Sequence, residues 1–152
     1  MSNPKISGRI DVIALDLEAT LISDFFSQIP RPGLYNFLEF CHDSCARVVM
    51  FTAVSDDRFR QVAHQLISGG YAPAWFADIE YITWDRNIKD LRFIPNAPID
   101  SILLVDDYPA YIHPDQVENW IEIMPFESPY LDTDQELMRV KMLIAGKYLS
   151  KT

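Results

Sequence analysis

Glycine is scarce in this chain of 152 residues, with 5 in all, and cysteine is scarcer, with 2. So few glycines exclude collagen-like and glycine-rich low-complexity classes. Cys41 and Cys45 cannot supply a disulfide framework. Four residues apart on one helix face they read as core side chains, since a zinc site needs more ligands nearby. Positive charge is short as well: 13 Lys and Arg stand against 22 Asp and Glu, for a net charge of −9. No basic stripe runs along any segment, which argues against nucleic acid as a partner. No run of about 18 uncharged apolar residues is present, so no membrane span is expected. Met1 to Ser7 lacks the apolar core of a signal peptide, and a cytoplasmic setting is the expectation. Internal repeats, low-complexity tracts and long linkers are absent too.

What is present is a chain that is 49% apolar and of a length that buries one proper core. The expectation is a single domain over 1–152, with 130–152 a C-terminal helical tail. Val12 to Asp16 reads as a buried strand, because strands covered on both faces are near-continuous apolar runs. Pro32 suits the first turn of a helix, on which Leu34, Phe37, Leu38, Cys41 and Cys45 share a face. Arg47 to Thr52 is a second strand. Ser55 is placed to cap a helix whose apolar face is Phe59, Val62, Ala63, Leu66 and Ile67, ended by Gly69-Gly70. Ile79 to Trp84, Ser101 to Val105 and Trp120 to Ile123 follow as strands. Thr133 and Glu136 have capping-box spacing ahead of a last helix bearing Leu137, Val140, Ile144 and Tyr148. Strands alternating with helices predict an α/β, doubly wound, mostly parallel sheet with helices on both faces.

Four polar signals stand just past strand ends or in the following loop. They are Asp16 with Glu18, Thr52, Lys89, and Asp106 with Asp107. Singly, each has an ordinary explanation as a turn, a cap or a solvated charge. Together they converge, because all strand C-termini of a parallel sheet lie along one edge. Ligands of such sheets bind outside that edge. The set suits phosphoryl transfer. An Asp carboxylate can form an aspartyl-phosphate, and carboxylates with phosphate hold Mg²⁺. A lysine and a hydroxyl steady phosphate oxygens, and a second acid can move the proton.

On these residues the chain resembles the haloacid dehalogenase-like phosphatases. Asp16-Leu17-Glu18-Ala19-Thr20, Phe51-Thr52, Lys89 and Val105-Asp106-Asp107 match the four motifs of that superfamily in order. Within it the chain is most similar to the FCP/SCP (NLI-interacting-factor-like) branch. The further likenesses are Arg31-Pro32-Gly33-Leu34, Phe51-Thr52-Ala53, Lys89-Asp90-Leu91 and Leu104-Val105-Asp106-Asp107-Tyr108-Pro109. The resemblance implies Asp16 as nucleophile and Mg²⁺ ligand. It implies Glu18 as acid/base, with its main-chain carbonyl on the metal. Thr52 and the Ala53 N–H would hold phosphate, Lys89 would bind phosphate and steady Asp16, and Asp106 and Asp107 would complete the metal shell. The implied substrate is a phosphorylated protein or small molecule.

The chain departs from the pattern in two places. The family has Asp where this chain has Glu18, and the segment between Thr52 and Lys89 is shorter than in the eukaryotic protein phosphatases. Neither the stretch from 17 to 51 nor that from 53 to 88 leaves room for a cap domain, which predicts an open site. Two other readings stand beside the phosphatase. One is the same fold binding phosphate or a partner without turnover. The other is a receiver-like signalling module, whose acidic pair comes first in the chain rather than last.

Overall fold

The computed structural model describes residues 9–149, so the reading of Met1 to Ser7 lies outside it. Its centre is β1, Val12–Leu15, four residues with no exposed surface. β1 is flanked by β2, Arg47–Met50, on one side and β4, Ile102–Asp106, on the other, both parallel to it. Leu15 stands level with both Met50 and Val105. β3, Glu80–Tyr81, and β5, Trp120–Glu122, form the edges. The order is β3-β2-β1-β4-β5, and every pairing is parallel.

Period-two alternation splits the sheet's side chains between two cores. Ile13, Leu15, Met50, Leu103 and Val105 enter the larger one. There they meet Phe37 and Leu38 of α1 (Leu34–Ser44), Phe59 and Val62 of α2 (Asp56–Ser68), and Leu137 and Val140 of α3 (Glu136–Ile144). Val12, Ala14, Val49, Ile102 and Leu104 enter the smaller core, with Ile82, Trp84, Leu91 and Ile94. So the two faces carry helices of different kinds. Three α-helices cover one, and one-turn 3-10 segments such as Leu91–Phe93 and Ile99–Ser101 cover the other. Crossover handedness gives the reason. The chain steps outward from β1 to β2 to β3, then reverses to β4 and β5. With right-handed crossovers, reversing direction moves the connection to the opposite face.

Local details differ from expectation in four places. Pro32 lies before α1 rather than inside it. Gly33 stands at the N-cap with φ 85°, a conformation that suits glycine. The third strand is only Glu80–Tyr81, because after Ile82 donates to the Met50 carbonyl the chain turns away to spread Trp84 over the second face. Ser55 occupies the N-cap of α2, with Asp56 and Asp57 in the first turn, but its side chain makes no capping bond. Thr133 and Glu136 form no capping box. Glu136 is the first residue of α3, and its carboxylate accepts from the Met124 N–H at 2.9 Å and pairs with Arg139 at 2.8 Å.

Only α1 and its lead-in loop separate β1 from β2. Only α2, a 3-10 segment at Ala74–Asp78 packed with it on the first face, β3 and the turns over the second face separate β2 from β4, so no cap is inserted among the described residues. Among the described residues no helix is long and apolar enough to cross a membrane.

Candidate active site

The chain order reverses between β1 and β4, so the crevice at this switch point opens beyond Leu15 and Asp106. The ladder continues one residue past β1: the Asp16 N–H donates to the Val105 carbonyl at 3.0 Å. By the pleat, Asp16 follows Val12 and Ala14, and Asp106 follows Ile102 and Leu104, toward the smaller core. The connection from β3 to β4 crosses that face and delivers Lys89. The Lys89 ammonium donates to Asp16 Oδ1 at 2.9 Å and to Asp106 Oδ2 at 2.5 Å. The lysine's stem is fully buried, and its Nζ lies 5.8, 5.6 and 5.2 Å from the ring centres of Phe51, Trp84 and Tyr111. These rings exclude water and turn their negative faces to the cation. The backbone is braced as well. The Lys89 N–H donates to the Tyr111 carbonyl, and Asp90 caps the next turn while accepting from Gln116. Burial alone works against the charged lysine. Asp16 and Asp106 outweigh it and raise its pKa.

The acids divide the work. Asp106 is fully buried: Oδ2 accepts from Lys89, and Oδ1 accepts from the Tyr108 N–H at 2.9 Å. Asp107 is only partly buried and faces the Thr20 hydroxyl, which lies 2.8 Å from Asp16 Oδ2 and 3.2 Å from Asp107 Oδ1. The one hydroxyl proton can be donated to only one of these two carboxylates at a time. Burial, then the charge of Asp16, pushes the carboxyls of Asp106 and Asp107 up to about 7, with Lys89 acting in the opposite direction on Asp106. Asp16, Asp106 and Asp107 each offer an oxygen within 4.8 Å of the others. Once all three acids ionise, three carboxylates beside one ammonium leave an excess of negative charge. That charge, and the all-oxygen donor set, fit a small divalent cation.

The remaining expected residues border this centre. Thr52 is buried two residues beyond β2, where its hydroxyl accepts from the Val54 N–H at 3.1 Å and its carbonyl accepts from Trp84 Nε1 at 2.8 Å. Ala53 is half-buried beside it, and nothing among the described residues accepts from its N–H. Glu18 is also half-buried, and its Oε2 accepts from the Phe25 N–H at 2.7 Å. Its side chain thus ties the acidic loop to the turn that follows it. The structure therefore joins Asp16, Lys89, Asp106 and Asp107 by direct contacts or close approach. It sets Thr52 and Ala53 on the neighbouring strand end and turns the Glu18 carboxylate toward Phe25.

Thr20, which the sequence offered only as the last residue of the acidic motif, is a site residue as well; its place in the same loop, four residues after Asp16, is the signal for it. The aromatic box has no such signal, because its members come from three separate segments and leave no local pattern.

The family model described as NLI interacting factor-like phosphatase matches residues 11–150. Among curated proteins no match is found.

Proposed function

Because this chain belongs to the NLI interacting factor-like phosphatase family, we propose that it hydrolyses phosphate monoesters through a covalent phosphate on Asp16. The observation that carries the proposal is the double anchoring of Asp16. Lys89 holds Oδ1 and the Thr20 hydroxyl holds Oδ2, so the carboxylate is oriented before substrate arrives. Preorganisation of this kind lowers the cost of reaching a near-attack geometry.

A carboxylate oxygen of Asp16 attacks phosphorus, and the bond from phosphorus to the ester oxygen breaks. The leaving oxygen takes a proton from Glu18. In the second half, Glu18 takes a proton from water as that water attacks phosphorus. The bond to Asp16 breaks and inorganic phosphate leaves. Lys89 and the Thr52–Ala53 corner bind the phosphoryl oxygens and offset the charge that develops there. Mg²⁺ is the cofactor we assign, held by Asp16, Asp106, Asp107 and the Glu18 carbonyl; when bound it neutralises phosphate charge and polarises the transferred group. The open, capless edge suits a large substrate, a phosphoprotein or a phosphate group on an exposed end.

The bond from Phe25 to Glu18 favours one second reading: a protein of the same fold that binds phosphate or a partner without turnover. Turnover of p-nitrophenyl phosphate, lost in excess chelator and restored by Mg²⁺, separates the two. The enzyme also predicts that Asp16→Asn loses essentially all turnover while remaining folded. Phosphate binding with no turnover in any metal supports the second reading. A trapped phosphate that maps to a residue other than Asp16 removes the nucleophile assignment. A panel of phosphopeptides against small esters then identifies the substrate class.

A further inference from the structure

Outside the acidic centre, Arg31 is a large, fully buried charged side chain with four side-chain hydrogen bonds. It comes from the loop before α1 and has no exposed surface. Its Nε and Nη2 make a two-pronged pair with Asp134, at 2.9 and 3.0 Å. Its Nη1 donates to the carbonyls of Ala19 and Thr20, at 3.3 and 3.2 Å. Its guanidinium carbon lies 5.2 Å from the centre of the Phe126 ring. Every donor group of this arginine is therefore directed either at the acidic loop or at the segment between β5 and α3.

The loop needs such support. Ala19 has φ 61°, a left-handed conformation that L residues other than Gly, Asn and Asp seldom adopt. Its backbone is held from all sides. The N–H donates to the carbonyls of Ile22 and Ser23, and the carbonyl accepts from the Phe126 N–H at 2.8 Å as well as from Arg31. The next residue is Thr20, whose hydroxyl bridges Asp16 and Asp107. A shift of the Ala19–Thr20 peptides would move that hydroxyl relative to both acids.

We propose that Arg31 is a positioning residue for the acidic loop. The segment carrying Phe126 and Asp134 is then part of the catalytic apparatus rather than an appendage to it. Arg31 acts through the carbonyls of Ala19 and Thr20 and touches no reacting atom. It ties the loop to Asp134, which lies 103 residues beyond Arg31 itself. The functional consequence rests on the phosphatase reading, while the mechanical one does not. Misplacing a reacting group by about 1 Å can cost ~10²-fold in rate, so loosening the strut lowers kcat far more than it raises KM.

Asp134→Asn is the main test, because it keeps the side-chain shape and removes the charge that directs the guanidinium. Arg31→Lys is the second, because it keeps the charge and removes the fork. Glu80→Gln is the control: it breaks the exposed Arg47–Glu80 pair at the far edge of the sheet. Three readouts are taken on the full chain: amide hydrogen exchange of residues 17–23, calorimetric binding of Mg²⁺, and kcat and KM on p-nitrophenyl phosphate. Both strut variants should speed exchange in residues 17–23 by at least tenfold and weaken Mg²⁺ binding. They should lower kcat about tenfold or more with KM within about threefold, and Glu80→Gln should do none of these. Unchanged exchange in residues 17–23 overturns the strut. Faster exchange with normal kcat and normal Mg²⁺ affinity overturns its positioning role. A wild type that neither turns over nor binds Mg²⁺ defeats the phosphatase reading instead, and the exchange result still decides the strut.

Discussion

Replacing Lys89 by methionine tests the centre of the site. Methionine keeps most of the stem inside the box of Phe51, Trp84 and Tyr111 and deletes only the charge. It leaves Asp16, 7% exposed, and Asp106, fully buried, without the ammonium that each now touches. Breaking a buried ion pair from one side costs about 3–5 kcal/mol, because the stranded charge keeps its desolvation penalty. In a domain of this size each kcal/mol corresponds to roughly 2–4 °C of Tm. The combined expectation is therefore a loss of about 6–20 °C in chelator at pH 8. The loss shrinks at pH 5. There Asp106, already pushed up to about 7 by burial and then by Asp16, is protonated and no longer needs the cation. Lys89→Arg should recover part of the stability and little of the rate, since a planar fork overfills a box shaped to a single ammonium. On p-nitrophenyl phosphate, removing a fixed charge from the transferring group should lower kcat by ~10²–10³-fold. Thermal melts at pH 5 and pH 8 and steady-state kinetics give all of these numbers. If Lys89→Met melts within about 2 °C of the wild type at pH 8, the ammonium does not hold the acids together and the reasoning fails.

Two further outcomes follow from the same centre. Glu18→Gln keeps an acceptor for the Phe25 N–H and loses the acid. Turnover should therefore drop with the loop intact, and more for an alkyl than an aryl ester, because an aryl leaving group needs little protonation; Glu18→Asp should be intermediate, and equal rates for all three proteins on both esters would withdraw the acid/base role. For the metal, the sign follows from the raised carboxyls. Asp106 and Asp107 hold protons in the folded state to about pH 7, whereas ordinary carboxyls lose theirs near 4. The folded state thus binds more protons across that interval, and metal-free stability falls as pH rises through it. Mg²⁺ held by these acids, as proposed, would displace those protons, so its stabilisation of Tm should grow from pH 5 to pH 8, with proton release in calorimetry; an equal Mg²⁺ shift at both pH values would contradict the assignment.

β1, β2 and β4 are legible in the sequence, because strands buried on both faces must be written as apolar runs. So is the inward face of α1, through Leu34, Phe37, Leu38 and Cys41, and that of α2, through Phe59, Val62, Ala63 and Leu66; the sequence pattern fixes both. It also placed Asp16 and Asp106 on one edge, since parallel strands that end in carboxylates leave no other arrangement. Which groups touch is settled by the folding of distant segments onto one another. Lys89 is 73 residues from Asp16, in a polar stretch without periodicity, and reaches it because a reversal in strand order sends that connection over the second face. That same reversal shortened the third strand, since Trp84 is needed over the smaller core rather than in the ladder. The orientation of Glu18 toward Phe25 was hidden as well, because a flexible carboxylate chooses its partner from whatever the folded loop presents. Arg31 and Asp134 carry no mutual signal across 103 residues. Burial drives the pairing: an arginine with no access to water must find acceptors for its whole fork, and only the folded chain brings them there.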